Sequence, residues 1–283
     1  MIVDVHSHAW RFPDHFDQSF LQQAARAKPG VKVDLTVQYE AYRQQATPDT
    51  RTIVFGGKAR RSGLWVDDSY VAQYVAAHPD TLVGFLSLDP TDENWPEDLE
   101  HGHRELGLKG IKLMPMYAGF RPDDEHIDAL WSYAGEHGLP VLLHTGTTFV
   151  SQAPLECTLP RHLDAVAIRH PQVKIIMAHL GHPYEGECVA VIRKHANVFA
   201  DVSALHYRPW QLYNSLMLVQ EYGVWDKVLF GSDYPFTTVQ ASIDGLRALN
   251  GMVEGTSLPK LDVAAIESLI YRDSLKLLGL SAT

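Results

Sequence analysis

The sequence predicts a distorted (β/α)8 TIM barrel with an insertion after its first strand, and three observations carry that expectation. Short β-branched and apolar runs recur along the 283 residues with helical stretches between them. There are eight such runs, the number that closes a barrel. Most of them end in or beside a titratable side chain, where a barrel places its chemistry. Alternation of strand and helix further requires parallel strands joined by right-handed crossovers.

The first run, Ile2-Val3-Asp4-Val5-His6-Ser7-His8, delivers two histidines one residue apart. A strand alternates its faces with period two, so both imidazoles point to the same side. Segment 9–51 is longer than one crossover needs and reads as a lid or oligomer contact over the barrel mouth. Its Trp10, Phe12, Phe16 and Phe20 read as packing residues rather than ligand contacts. The other strands are expected at 52–55, 82–88, 110–113, 140–144, 174–179, 198–202 and 227–232. Helices are expected at 67–78, 95–106, 123–137, 161–170 and 185–195. His78-Pro79, Glu136-His137-Gly138 and His170-Pro171 mark helix ends by Gly, Pro and a basic residue in the last turn. Those histidines, with His195, suit the helix dipole and need no catalytic role.

The length fits one barrel domain spanning 1–283. No apolar run approaches the roughly 18 residues of a membrane span, and no basic leader precedes an apolar stretch, so a soluble, cytoplasmic protein is expected. The net charge of −10 argues against a nucleic-acid partner, because neutralising phosphates requires a basic face. Cys157 and Cys188 are too few for a disulfide framework or a cysteine zinc cluster.

The polar residues at expected strand ends are His6, His8, Lys112, His144, His179 and Asp233. Any one of them alone reads as a satisfied polar group at a sheet edge. Six at equivalent positions share one face of a barrel and together suggest a site. Three imidazoles and a carboxylate suit zinc, with manganese or iron as alternatives, and such an ion acidifies a water and polarises a carbonyl. Asp233 or His179 can then handle the proton. Around the mouth, Lys58, Arg60 and Arg61 follow the second strand, Tyr117 and Arg121 the fourth, and His206, Tyr207, Arg208 and Trp210 the seventh. Basic groups beside aromatic ones point to a small anionic, ring-bearing substrate, against the background that most Lys and Arg are solvated surface. Lys112, Arg61, Tyr117, Arg121, His206 and Tyr207 are the candidate substrate contacts.

The phrases Asp4-Val5-His6-Ser7-His8, Gly110-Ile111-Lys112-Leu113, Val141-Leu142-Leu143-His144, Ala178-His179-Leu180-Gly181 and Gly231-Ser232-Asp233-Tyr234-Pro235 resemble the amidohydrolase superfamily. They are most similar to the branch that contains aminocarboxymuconate-semialdehyde decarboxylase, in order and over nearly the whole chain. The resemblance implies one metal held by His6, His8, His144 and Asp233, with His179 as the acid/base, and it implies a homodimer. In binuclear branches a fourth-strand lysine is carboxylated and bridges two ions, an arrangement in which Lys112, His144 and His179 would serve a second metal. In the branch that this chain resembles, an unmodified lysine in a Gly-Ile-Lys-Leu phrase is familiar, so the resemblance favours one ion, with Lys112 able to neutralise a substrate carboxylate. Met114 stands where the family often carries a histidine. Two reactions suit this ligand set: hydrolysis of an ester, lactone or amide, which is preferred, and nonoxidative decarboxylation of an aromatic or muconate-type acid. A barrel that has lost catalysis and only binds is the remaining alternative, disfavoured by the intact set of titratable groups.

Overall fold

The computed structural model describes residues 1–27 and 34–280, so residues 28–33 of the expected insertion lie outside the described residues. Strands β1 (Ile2–His8) and β2 (Thr50–Phe55) come first, and β3 (Lys58–Ala59) pairs with β4 (Leu64–Trp65) as a small antiparallel hairpin outside the main sheet. The sheet continues through β5 (Leu82–Leu88), β6 (Ile111–Leu113), β7 (Val141–Leu143), β8 (Ile175–Met177), β9 (Val198–Asp201) and β10 (Val228–Leu229). All neighbours in this eight-stranded sheet are parallel and follow chain order. The ring closes where the segment after β10 meets β1: the Val5 N–H donates to the Phe230 carbonyl at 3.0 Å and the Asp233 N–H to the His6 carbonyl at 2.8 Å. Each of the eight expected barrel strands is present.

The helices are α1 (Gln18–Ala27), α2 (Tyr39–Gln44), α3 (Asp68–Ala76), α4 (Trp95–Glu100), α5 (Pro115–Ala118), α6 (Asp128–His137), α7 (His162–Arg169), α8 (Glu185–Lys194), α9 (Pro209–Glu221), α10 (Val239–Ala248), α11 (Val263–Ile270) and α12 (Ser274–Leu278). The expected helix 95–106 stops being regular after α4, where the Leu106 N–H reaches back five residues to His101. Gly102 sits in this wide turn against Leu86, where an added Cβ would stand 3.0 Å from that side chain. The expected helix 123–137 starts late, at Asp128, after a short 3-10 turn over Glu125–Ile127. The hairpin of β3 and β4, and α1, α2, α5 and α9 to α12, are additions to the elements that the sequence pattern predicts. Among the described residues no helix is long and apolar enough to cross a membrane.

One apolar cluster fills the barrel, with Val3, Val5, Ile53, Phe55, Phe85, Leu142, Ile176 and Leu229 pointing inward. Leu275 and Leu278 of α12 join it, so this last helix seals the end opposite the chemistry. A second cluster lies between strands and helices and includes Ile2, Val54, Leu86, Ile111, Leu113 and Trp131. This inward and outward alternation raises a problem at β1. Val3 and Val5 face the barrel interior, so strict period two would send His6 and His8 outward. A register shift resolves it, because Asp4 pairs with Thr52 but Ser7 already pairs with Val54, one extra residue on β1. Such a bulge reverses the parity of the residues after it and re-aims both histidines into the barrel mouth.

Asp4 fixes this irregular strand. One carboxylate oxygen accepts the backbone N–H groups of His6 and Ser232, at 3.2 and 2.8 Å, and the other accepts the hydroxyls of Tyr42 and Ser232, at 3.0 and 2.6 Å. Burial pushes Asp4 from its ordinary 3.8 up to about 6, with these hydrogen bonds acting in the opposite direction. A carboxyl whose pKa is raised in the folded state holds its proton longer there than in the unfolded chain. Stability therefore falls as pH rises through roughly pH 4 to 6. Two units correspond to about 3 kcal/mol. In chelator-treated protein, Asp4→Asn keeps the shape without the buried charge, and urea unfolding is expected to show wild type losing about that much relative to the variant between about pH 4 and pH 7. A difference that does not change with pH contradicts this.

Candidate metal centre

The carboxyl ends of β1, β6, β7, β8 and β10 converge on a cavity of about 780 Å³ at the barrel mouth. His6, His8, Lys112, His144, His179 and Asp233 all line it, so the six strand-end residues singled out in the sequence are brought together. All six are buried, none more than 8% exposed. The Nε2 atoms of His6 and His8 lie 3.3 and 3.1 Å from the same oxygen of Asp233. The His179 ring lies 4.9 Å from that of His6 and 5.2 Å from that of His144. The tightest group of potential ligand atoms among the described residues is His6, His179 and Asp233, all within 4.8 Å of one another. His179 is thus as near the centre as the residues the resemblance makes ligands.

Local backbone aims these side chains. His179 and Asp233 both sit in the left-handed region, at φ 58° and 65°, where residues other than glycine are uncommon. The expected strand 174–179 ends at Met177 because of that turn, which swings His179 across the mouth. Gly146, at φ 128°, lets the loop after β7 pass the His182 carbonyl, which an added Cβ would meet at 2.6 Å. His8 is stacked on Trp10 at 3.8 Å, and both His6 and His8 stand edge-on to Phe55 at 5.0 Å.

The donor set fits a divalent cation. Burial, reinforced by the Lys112 charge, holds His6, His8 and His144 far below the ordinary histidine range, so each offers the neutral imidazole that a metal requires. The Nε2 of His144 is buried and has no hydrogen-bond partner among the described residues. Burial pushes Asp233 up and Lys112 down, the response of charges lacking a full counter-ion. A cation beside Asp233 would remove that penalty. Burial also takes His179 down to about 3. The Lys112 ammonium makes no hydrogen bond or ion pair among the described residues and rests over Phe55, 4.3 Å from the ring centroid.

Of the expected substrate contacts, Lys112, Tyr117 and Tyr207 line the cavity, whereas Arg61, Arg121 and His206 do not. Arg61 donates to the Gln152 carbonyl at 3.0 Å, and Arg121 is clamped on both oxygens of Asp123 at 3.0 and 2.7 Å. His206 is turned to the Gly231 carbonyl at 3.2 Å. Lys58 is buried between Asp68 and Asp98, at 2.9 and 2.7 Å, and Arg60 pairs with Asp92. The lysine and arginines among them are each engaged by a carboxylate or a carbonyl within the fold, a pairing that composition near a motif does not reveal, whereas the buried Nδ1 of His206 has no hydrogen-bond partner among the described residues. Trp10 and Phe20, expected only to pack, line the cavity together with Phe149 and Phe236.

Several lining or supporting residues are not singled out by the sequence pattern. Arg208, which the sequence marks only as one of several loop residues, lines the mouth with its guanidinium 4.6 Å from the Tyr207 ring. His182 also faces the cavity, its Nδ1 2.7 Å from the buried Glu185. Beneath the site, Asp201 and Ser203 at the end of β9 contact His6 and His179. A signal for them exists in the sequence: two polar residues one apart at a strand end, the same spacing as His6 and His8.

The protein resembles solved structures over nearly its full length. An uncharacterised TIM-barrel protein from Bordetella bronchiseptica superposes with a TM-score of 0.69 at 19% identity, covering 99% of this chain and 98% of that one. A probable 2-pyrone-4,6-dicarboxylic acid hydrolase from Acinetobacter baumannii, with citric acid bound, gives 0.65 at 15% identity over 98% and 99% of the two chains. A dihydroxybenzoic acid decarboxylase from Polaromonas sp. JS666, with manganese and the inhibitor 2-nitroresorcinol bound, gives 0.66 at 17% identity over 100% and 98%. No curated protein matches the sequence at a significant level. The amidohydrolase family profile matches residues 3–280. With that match over almost the entire barrel, the chain belongs to the amidohydrolase family.

Proposed function

We propose that the protein is a metal-dependent hydrolase that opens an ester, lactone or amide bond in a small, anionic, ring-bearing substrate. His6, His8, His144 and Asp233 hold one divalent ion, for which three imidazoles and a carboxylate suit zinc, with manganese as the alternative that the decarboxylase relative carries. When bound, such an ion polarises the substrate carbonyl and lowers the pKa of a water. Lys112, unmodified, meets a substrate carboxylate, and Arg208 with Tyr207 engages a second polar group at the rim. Trp10, Tyr117, Phe149 and Phe236 flank a flat ring and exclude water.

The observation that carries hydrolysis is the hydrogen bonding of His179. Its Nδ1 lies 3.1 Å from the Ser203 carbonyl, which can only accept, so the proton resides on Nδ1. Nε2 is then a bare acceptor. A histidine in that state takes a proton from an attacking water, and gives it to the leaving oxygen or nitrogen once it has been charged. Decarboxylation is the second reading, favoured by the aromatic lining and by the decarboxylase relative. It needs a group that first delivers a proton to carbon. Incubation of zinc- or manganese-loaded protein with aromatic lactones and with dihydroxybenzoates separates the two. A ring-opened acid without carbon dioxide is expected; release of carbon dioxide with no ring opening overturns the hydrolase reading.

A further inference from the structure

Beneath the site lies a buried carboxylate with several hydrogen bonds and no role in the proposed chemistry. Asp201 is fully buried at the end of β9. One of its oxygens accepts from the His6 Nδ1 at 2.9 Å. The other accepts the backbone N–H groups of His179 and Ser203, both at 3.0 Å, and the Ser203 hydroxyl. Ser203 spends its only hydroxyl proton on Asp201, so its Oγ must accept from the His179 Nδ1, 2.8 Å away. Ser203 Oγ also lies 3.2 Å from the His6 Nδ1. Both imidazoles therefore carry their proton on Nδ1, and both present a bare Nε2 toward the cavity.

We infer that Asp201 is a positioning residue serving both halves of the machinery: it sets the tautomer of the ligand His6 directly and, through the Ser203 hydroxyl that joins the Ser203 carbonyl on Nδ1, helps hold the proton-handling His179 ring in place. The inference rests on the metal reading proposed above and extends it to a residue that touches neither ion nor substrate. Asp201 also accepts the N–H of His179 itself, which helps hold that residue in its left-handed conformation. A single carboxylate thus fixes ring orientation at one histidine and backbone orientation at the other. Carboxylate partners of ligating histidines act in this way, and their loss weakens metal binding about 10- to 100-fold.

Asp201→Asn makes a sharp test because it preserves shape while inverting one partner. The backbone N–H groups of His179 and Ser203 still need an acceptor, which the amide oxygen supplies. Its NH2 then faces the His6 Nδ1 and requires that atom to be unprotonated, moving the proton to Nε2 and blocking the ligand lone pair. Equilibrium dialysis against manganese or zinc alone is expected to show Asp201→Asn binding about 10- to 100-fold more weakly than wild type. Ser203→Ala, which leaves the Asp201 to His6 contact in place, is expected to bind within about threefold of wild type, well short of the loss that follows removal of a ligand's carboxylate partner. Nitrogen-15 NMR of histidine-labelled, metal-free protein supplies a readout independent of activity. Wild type is expected to show Nδ1–H at His6 and His179, Asp201→Asn to show Nε2–H at His6, and Ser203→Ala to shift the His179 signals while His6 keeps its Nδ1–H tautomer.

Wild-type metal affinity retained in a folded Asp201→Asn protein overturns the inference, as does an Nε2–H tautomer at His6 in wild type. If wild type binds no metal yet the tautomers follow this pattern, the metal reading fails and the positioning role stands. Should Asp201→Asn not fold, the wild-type and Ser203→Ala tautomers decide the question.

Discussion

His179→Gln is expected to lower kcat by about 10² to 10⁴ while leaving metal content unchanged. Glutamine retains polarity and approximate bulk but cannot carry a proton between water and leaving group. The His179 ring stands beside the proposed ligands, 4.9 and 5.2 Å from the rings of His6 and His144, with its Nδ1 committed to Ser203. Two measurements on the same variant are needed, turnover of the best substrate found and metal content after desalting. Turnover within about threefold of wild type removes His179 from the proton-transfer step, since general acid/base groups contribute far more than that. Loss of the metal together with activity makes His179 a ligand instead, an arrangement compatible with the 4.8 Å grouping of His6, His179 and Asp233.

The barrel is legible in the sequence because its strands and several of its helices have simple patterns. Apolar runs at regular intervals identify all eight strands, and Gly or Pro after a basic residue marks where α6 and α7 end. The illegible features are set by tertiary contacts. In the wide turn after α4, Gly102 packs on Leu86, a contact that local periodicity does not register. Period two alone puts His6 and His8 on one face, yet Val3 and Val5 face the same interior, and only the extra residue on β1 reconciles the two pairs.

At the site, residues whose charge has no structural use are the ones that the sequence identifies. Lys112, His144, His179 and Asp233 stand at strand ends with nothing in the sequence nearby to satisfy them, and they line the cavity. The arginines mislead for the complementary reason. Arg121 has Asp123 two residues away, a local partner visible in the sequence, whereas Arg61 is occupied by Gln152, 91 residues distant. Asp201 is easily passed over because it ends a strand among apolar residues in the phrase Phe199-Ala200-Asp201-Val202-Ser203, with no histidine to flag it. The aromatic residues of the segment after β1 show a different limit. Trp10 packs on His8 and lines the cavity at once, so packing and ligand contact are not alternatives there.

The proposed function rests on three imidazoles and one carboxylate at the barrel mouth holding a divalent ion. His144 offers the cleanest probe, because its Nε2 is buried without a partner and its removal disturbs no hydrogen bond of the Asp4 or Asp201 networks. His144→Ala is expected to lose the ion and, with it, the Lewis acid on which turnover depends. The decisive measurement is metal stoichiometry by mass spectrometry after loading with zinc or manganese and desalting. About one equivalent per chain is expected in wild type, as a single four-donor site requires, and far less than one in a folded His144→Ala protein. Wild type that retains no metal, or a His144→Ala variant that retains as much as wild type, would contradict it.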